Sequence, residues 1–140
     1  MCGIFLYKGQ KQDWDSLESD INRIGYRGPD NSHHEMIGND ILFAFHRLAI
    51  MGTTEMGDQP MKHPDDNSLT LICNGEIYNY IQLRQQLGQL NYKSNSDTEV
   101  IIEGYISEGI KFFKKLEGIY SFIIFDFRKE LNVIAFRDPS

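Results

Sequence analysis

Cys2 stands directly behind Met1 in Met1-Cys2-Gly3-Ile4-Phe5, so trimming of the methionine would put a thiol and a free α-amino group on one residue. The thiolate is the reactive form of cysteine, and an α-amine with a pKa of about 8 sits closer to neutral pH than any lysine. Such a residue carries its own base. It can attack an amide carbonyl without a histidine partner, by the logic that activates a terminal threonine through its own amine. Five other positions bring complementary chemistry. Arg47 lies in a strand-like run, Phe43 to Ile50, that is apolar apart from His46, and a guanidinium buried there requires an anion. Asn74, Gly75 and Glu76 follow the apolar run Leu69 to Cys73, where the sequence predicts a turn that aims an amide, a backbone N–H and a carboxylate from a strand end. Asp97 falls inside a Ser96 to Glu99 spacing that reads as a capping box, at the start of a helix.

Taken singly, each of these has a structural explanation: a salt bridge for Arg47, an ordinary Asn-Gly turn, a favourable charge at a helix start. Taken together they supply what is needed to bind and hydrolyse a zwitterionic amino-acid amide. Arg47 can fork onto an α-carboxylate. Glu76 and Asp97 can accept from an α-ammonium. Asn74 and the Gly75 N–H can hold the oxyanion of a tetrahedral intermediate.

The elements that must position these groups are legible in outline. Apolar, β-rich runs bounded by Gly, Asn, Asp or Pro occur at Cys2 to Tyr7, Ile41 to Ile50, Leu69 to Cys73, Ile119 to Phe127 and Leu131 to Phe136, so at least five strands are expected. The runs near both ends show little alternation, which predicts burial on both faces. Helical spacing links Trp14, Leu17, Ile21 and Ile24, then Ile77, Tyr80, Leu83, Leu87 and Leu90, then Val100, Ile101, Gly104 and Tyr105. The last two strands are joined only by Arg128, Lys129 and Glu130, too short a link for a helical crossover, and so must form an antiparallel hairpin. The segments Gly25 to Asn39 and Met51 to Asn67 read as long loops.

Composition narrows the function classes. At 140 residues, 41% hydrophobic and 24% charged, the chain fits one soluble α/β-layered domain. The net charge of −6 without a like-charged block argues against nucleic acid or an anionic membrane as partner, and Lys111, Lys114 and Lys115 read as a solvated face. Neither a basic-then-apolar leader nor a run long enough to span a bilayer is present, which makes the cytoplasm the expected location. The two cysteines, Cys2 and Cys73, lie far apart and outside any CxxC spacing, and a disulfide between them is poorly supported in a reducing compartment. No metal-site spacing links His33, His34, Glu35, His46 and His63.

The ordered set Met1-Cys2-Gly3-Ile4, Tyr26 to Asp30 (YRGPD), His46 to Ile50 (HRLAI), Gly57 with Gln59-Pro60, Asn74 to Asn79 (NGEIYN), Ser96 to Glu99 (SDTE) and Leu116 to Phe122 (LEGIYSF) closely resembles the glutaminase domain of asparagine synthetase, a class II glutamine amidotransferase. The NGEIYN string favours that branch over those acting on phosphoribosylamine or glucosamine phosphate. The resemblance implies an α+β fold, the N-terminal-nucleophile hydrolase four-layer α/β/β/α sandwich. It implies Cys2 as nucleophile and Asn74 and Gly75 as oxyanion hole. Arg47 is implied at the substrate α-carboxylate, with Leu48, Ala49, Ile50 and Met51 lining the same pocket, the last two through their backbone. Glu76 and Asp97 are implied at the substrate ammonium. Glutamine would be hydrolysed to glutamate and ammonia through a γ-glutamyl thioester, supplying ammonia for ATP-dependent asparagine synthesis from aspartate. No cofactor or metal is expected in this domain, since ATP and magnesium would belong to a synthetase domain. Residues 1–140 are read as the glutaminase domain alone, without that synthetase domain and without the family's C-terminal strands. A sheet edge left open in this way would invite a homo-oligomer, or a synthetase subunit as partner. A catalytically silent module that binds glutamine or another chain is the alternative reading.

Overall fold

Two antiparallel sheets carry the chain, one in each of two compact units, Met1–Ala49 and Ile50–Ser140. The computed structural model describes residues 2–10, 14–48, 59–63, 67–88 and 92–139.

In the first unit β1 (Gly3–Lys8), α1 (Trp14–Arg23), a 3-10 turn (Gly25–Arg27), β2 (Asn31–Ile37) and β3 (Ile41–Arg47) follow in order. The sheet order is β1-β3-β2, with Gly3 opposite His46 and Asn31 opposite Arg47. β3 is buried from end to end, as its apolar run Ile41 to Phe45 requires of a central strand. Leu17 and Ile21 of α1 pack on Leu42 and Ala44, together with Phe5 of β1. β2 is a correction, because residues 31–37 lie in a segment expected to be a loop. All but Ile37 of this strand are exposed. An edge strand with polar residues on both faces has no period-two signature, and only pairing with β3 reveals it.

The second unit runs β4 (Met61–Lys62), β5 (Leu69–Ile77), α2 (Tyr80–Leu87), α3 (Glu99–Glu108), a 3-10 stretch (Gly109–Lys115), β6 (Gly118–Asp126) and β7 (Asn132–Arg137). Its sheet order is β4-β5-β6-β7. The hairpin expected from the short link is present as the antiparallel β6–β7 pair. β7 departs from expectation in consisting only of exposed and half-buried residues, where burial on both faces was predicted. The core of this unit sets an aromatic cluster among aliphatic side chains. Phe113 meets Phe122 edge-on at 4.9 Å between centroids and lies 5.9 Å from Tyr105 and 5.2 Å from Phe136, tying α3, the 3-10 stretch, β6 and β7 together. Gly104 is needed on α3 because a Cβ there would fall into the Phe112 ring. The lysines Lys111, Lys114 and Lys115 all face solvent.

Two local expectations change. Asn74, Gly75 and Glu76 form no turn; they continue β5, opposite Ser121, Tyr120 and Ile119. Ile77, expected on the following helix, ends the strand. The turn falls instead at Tyr78 and Asn79, where the Asn79 amide donates to the Lys115 carbonyl at 2.8 Å and accepts from Glu117 N–H at 3.1 Å. The expected Ser96–Glu99 capping box is also absent. The α3 cap is Thr98, with no side-chain capping bond, and the Glu99 carboxylate turns away to accept from the N–H groups of Lys93 and Ser94.

Candidate active site

Cys2 sits one residue ahead of β1, half-buried, with its thiol free. Leu48 N–H points at its Sγ from 3.3 Å, and the Leu48 carbonyl lies 3.7 Å from the same sulfur. A backbone donor therefore faces the sulfur directly. The register brings this about. Gly3 opposes His46, so the next step along the ladder puts Cys2 beside Arg47 and Leu48 at the end of β3. Arg47 is buried, as its place in the apolar run predicts. Ala49, Ile50 and Met51, expected to line the pocket, lie outside the described residues, as do Met1 and Gly57.

Arg27 joins this group, although the sequence reading assigned its motif no chemical role. Its Nε donates to the Cys2 carbonyl at 3.2 Å, which fixes the Cys2 peptide. Gly28 follows because a Cβ there would collide with the His46 backbone. His46 itself is held between two partners, its Nε2 on the Ile21 carbonyl at 2.9 Å and its Nδ1 on Ser32 Oγ at 2.8 Å. A carbonyl can only accept, so Nε2 carries the proton and the ring has one tautomer. These contacts occupy both nitrogens of His46 in holding the sheet.

The second unit holds the remaining candidates on one short stretch. Asn74 is half-buried, and its side-chain carbonyl oxygen is buried without a hydrogen-bond partner among the described residues. Gly75 has φ +148°, and a Cβ would strike the Ile119 carbonyl and the Tyr120 backbone, so only glycine fits here. Gln59 contributes a contact that sequence reasoning missed. Its amide donates to the Cys73 carbonyl at 3.0 Å and accepts from Cys73 N–H, acting as one rung of an extra strand beside the residue that precedes Asn74. The only sequence signal for Arg27 and Gln59 was membership in the strings Tyr26 to Asp30 and Gln59-Pro60.

Asp97 is buried and accepts Ile77 N–H at 2.6 Å, which anchors its carboxylate at the end of β5 just past Glu76. Burial raises its pKa above the ordinary aspartate value, and the nearby charge of Glu76 pushes the same way, while hydrogen bonds from backbone N–H groups oppose them. Glu76 is exposed. The structure thus brings Cys2 together with Arg27, Arg47 and Leu48 in the first unit, and Asn74, Gly75, Glu76 and Asp97 in the second. Two further buried polar groups are satisfied structurally: His63 Nε2 lies 3.0 Å from Glu103, and Tyr105 donates to Asp126. No helix among the described residues is long and apolar enough to cross a membrane.

The chain is 37% identical over 144 residues to a probable asparagine synthetase (glutamine-hydrolysing) of Schizosaccharomyces pombe, a match covering 99% of this chain and 25% of that protein. It is 36% identical over 144 residues to asparagine synthetase 2 (glutamine-hydrolysing) of Bacillus subtilis, covering 99% of this chain and 19% of the relative. The chain thus spans a quarter or less of the length of these two relatives. Among solved structures, the glutamine phosphoribosylpyrophosphate amidotransferase of B. subtilis, complexed with ADP and GMP, superposes with a TM-score of 0.58 at 28% identity, covering 74% of this chain and 24% of that one. The α+β fold of the N-terminal-nucleophile hydrolases expected from the sequence is therefore the fold of this chain. Residues 1–140 match the glutamine amidotransferase domain throughout, and with more than a third of its residues identical to those relatives, this chain belongs to the glutamine amidotransferase domain family.

Proposed function

We propose that this chain hydrolyses glutamine to glutamate and ammonia, and that the ammonia serves ATP-dependent asparagine formation from aspartate on a synthetase domain or subunit in the cytoplasm. Met1 is removed, freeing the Cys2 amine. The Cys2 sulfur attacks the side-chain amide carbon, and its proton passes by way of the α-amine to the departing nitrogen. The tetrahedral oxyanion is held by Asn74 and the Gly75 N–H. Collapse breaks the C–N bond and releases ammonia. Water, deprotonated by the same amine, then cleaves the γ-glutamyl thioester and returns the thiol with glutamate. Arg47 grips the α-carboxylate of the substrate, and Glu76 and Asp97 its α-ammonium. No cofactor takes part in these steps. ATP and magnesium act on the synthetase side.

The observation that carries this reading is Cys2, a free, half-buried thiol at residue 2 with a backbone donor on its sulfur, in a chain that matches the family over its whole length. The names of the relatives support asparagine as the eventual product. The test is incubation with 6-diazo-5-oxo-norleucine followed by intact-mass and peptide analysis. The expected result is loss of Met1, one covalent adduct on Cys2, and ammonia release from glutamine that Cys2→Ala abolishes. An unmodified protein, or ammonia release that survives Cys2→Ala, overturns the reading.

A further inference from the structure

Glu99 is 2% exposed, yet its side chain makes none of the capping contacts that its place at the start of α3 predicts. Its Oε1 accepts Lys93 N–H at 2.6 Å. Its Oε2 accepts Ser94 N–H at 3.0 Å and Ser94 Oγ at 2.9 Å, and lies 3.5 Å from Nη2 of Arg84. Arg84 reaches over from α2 and donates to the carbonyls of Ser94, at 3.1 and 3.2 Å, and Ser96, at 2.7 Å. The Tyr92 ring lies 4.0 Å beneath its guanidinium. One ion pair thereby gathers the backbone polar groups of residues 93–96, a stretch with no ladder or helix bonds of its own.

The next residue is Asp97. We propose that Arg84 and Glu99 are a positioning pair that sets the carboxylate of Asp97 for the substrate's α-ammonium group. The inference rests on the reading of Asp97 given above and adds what holds it in place. The Asp97 carboxylate is tied at one end to Ile77 N–H, and Arg84 holds the carbonyl immediately before it. These contacts hold the carboxylate on one side and the preceding peptide on the other. Stability alone is a poor reason for the arrangement. A buried ion pair is often matched or bettered by apolar packing, and this one leaves Arg84 Nε and Tyr92 Oη buried without hydrogen-bond partners among the described residues. A geometric role accounts for keeping it.

Ammonium binding persists from ground state to transition state, so its loss raises KM and leaves kcat near its original value. The test is steady-state hydrolysis by the full chain of glutamine and of 4-carbamoylbutanoate, which is glutamine without its α-amine. With Arg84→Met and Glu99→Gln, KM for glutamine is expected to rise about tenfold, within the range a displaced positioning group produces. KM for the amine-free substrate should stay put, so the preference between the two collapses. Arg84→Lys keeps the charge without the fork and is expected to fall between. It also serves as the test if Arg84→Met does not fold, as judged by circular dichroism. Equal losses on both substrates, carried by kcat, mean a structural pair and overturn the inference. Asp97→Asn separates the two levels. If it leaves the preference intact, the reading of Asp97 fails. If it collapses the preference while the Arg84 and Glu99 variants do not, the positioning pair alone fails.

Discussion

The residues proposed to carry the chemistry are placed through backbone as much as through side chains. Asn74 and Gly75 lie on a strand, not a turn, so the amide is aimed by the β5–β6 register and by the Gln59 rung on Cys73. Replacing Asn74 with Ala should lower kcat by about 100- to 1,000-fold, the usual cost of one oxyanion donor, while the thermal melt stays close to that of the parent. Turnover within a few-fold of the parent would remove Asn74 from the site. Asp97 leads to a prediction with an unusual sign. Its pKa is raised in the folded chain, so its contribution to stability is full below the ordinary aspartate pKa and is lost as pH rises through the folded value. Near neutrality the ionised, buried carboxylate is therefore a cost. Asp97→Asn keeps an oxygen for Ile77 N–H and should melt at or above the parent temperature at pH 7, with the difference shrinking as the pH is lowered. Glutamine KM of the parent should meanwhile rise on acidification, with a midpoint above the ordinary value of about 3.9. A KM flat down to that pH would contradict the ammonium role.

Among the elements, the β6–β7 hairpin is held at its tip by a single carboxylate. Asp126 takes the Arg128 guanidinium in a fork, 3.0 Å from Nε and 2.7 Å from Nη2, and also accepts Arg128 N–H and the Tyr105 hydroxyl. The Arg128 contacts hold the Asp126 carboxyl well below the usual carboxylate range. A depressed pKa means stability present above the unfolded value and lost as pH falls through the folded one. Arg128→Ala should therefore cost about 1–2 kcal/mol near neutrality, toward the low end for a charged hydrogen bond because Arg128 is partly exposed. In urea titrations the gap should close as pH is taken below about 4. A gap independent of pH would show that packing, not the ion pair, was lost. The hairpin was legible in advance because three residues cannot hold a crossover. β2 was not, because residues 31–36 present polar or exposed side chains throughout and gain strand character only from β3.

At the scale of the molecule, the second unit depends on an aromatic cluster to which α3, the 3-10 stretch, β6 and β7 each contribute a ring. Phe113 contacts the other three, and Phe113→Ala should cost about 3–5 kcal/mol, read from the denaturant midpoint at unchanged slope. A cost below about 1 kcal/mol would mean that the cluster repacks around the gap. The sequence by itself determined the nucleophile candidate, the family, the central strand β3, the final hairpin and the identity of the groups suited to an amino-acid zwitterion. These follow from covalent position, residue chemistry and local periodicity, which are properties of the chain read in one dimension. Only the tertiary structure decided that Asn74 to Glu76 are extended, that Arg27 fastens the Cys2 peptide, and that Glu99 abandons its cap to pair with Arg84. Each of these depends on partners 15 to 47 residues away in sequence. The lower-energy choice between a local hydrogen bond and a distant one exists only once the chain has folded.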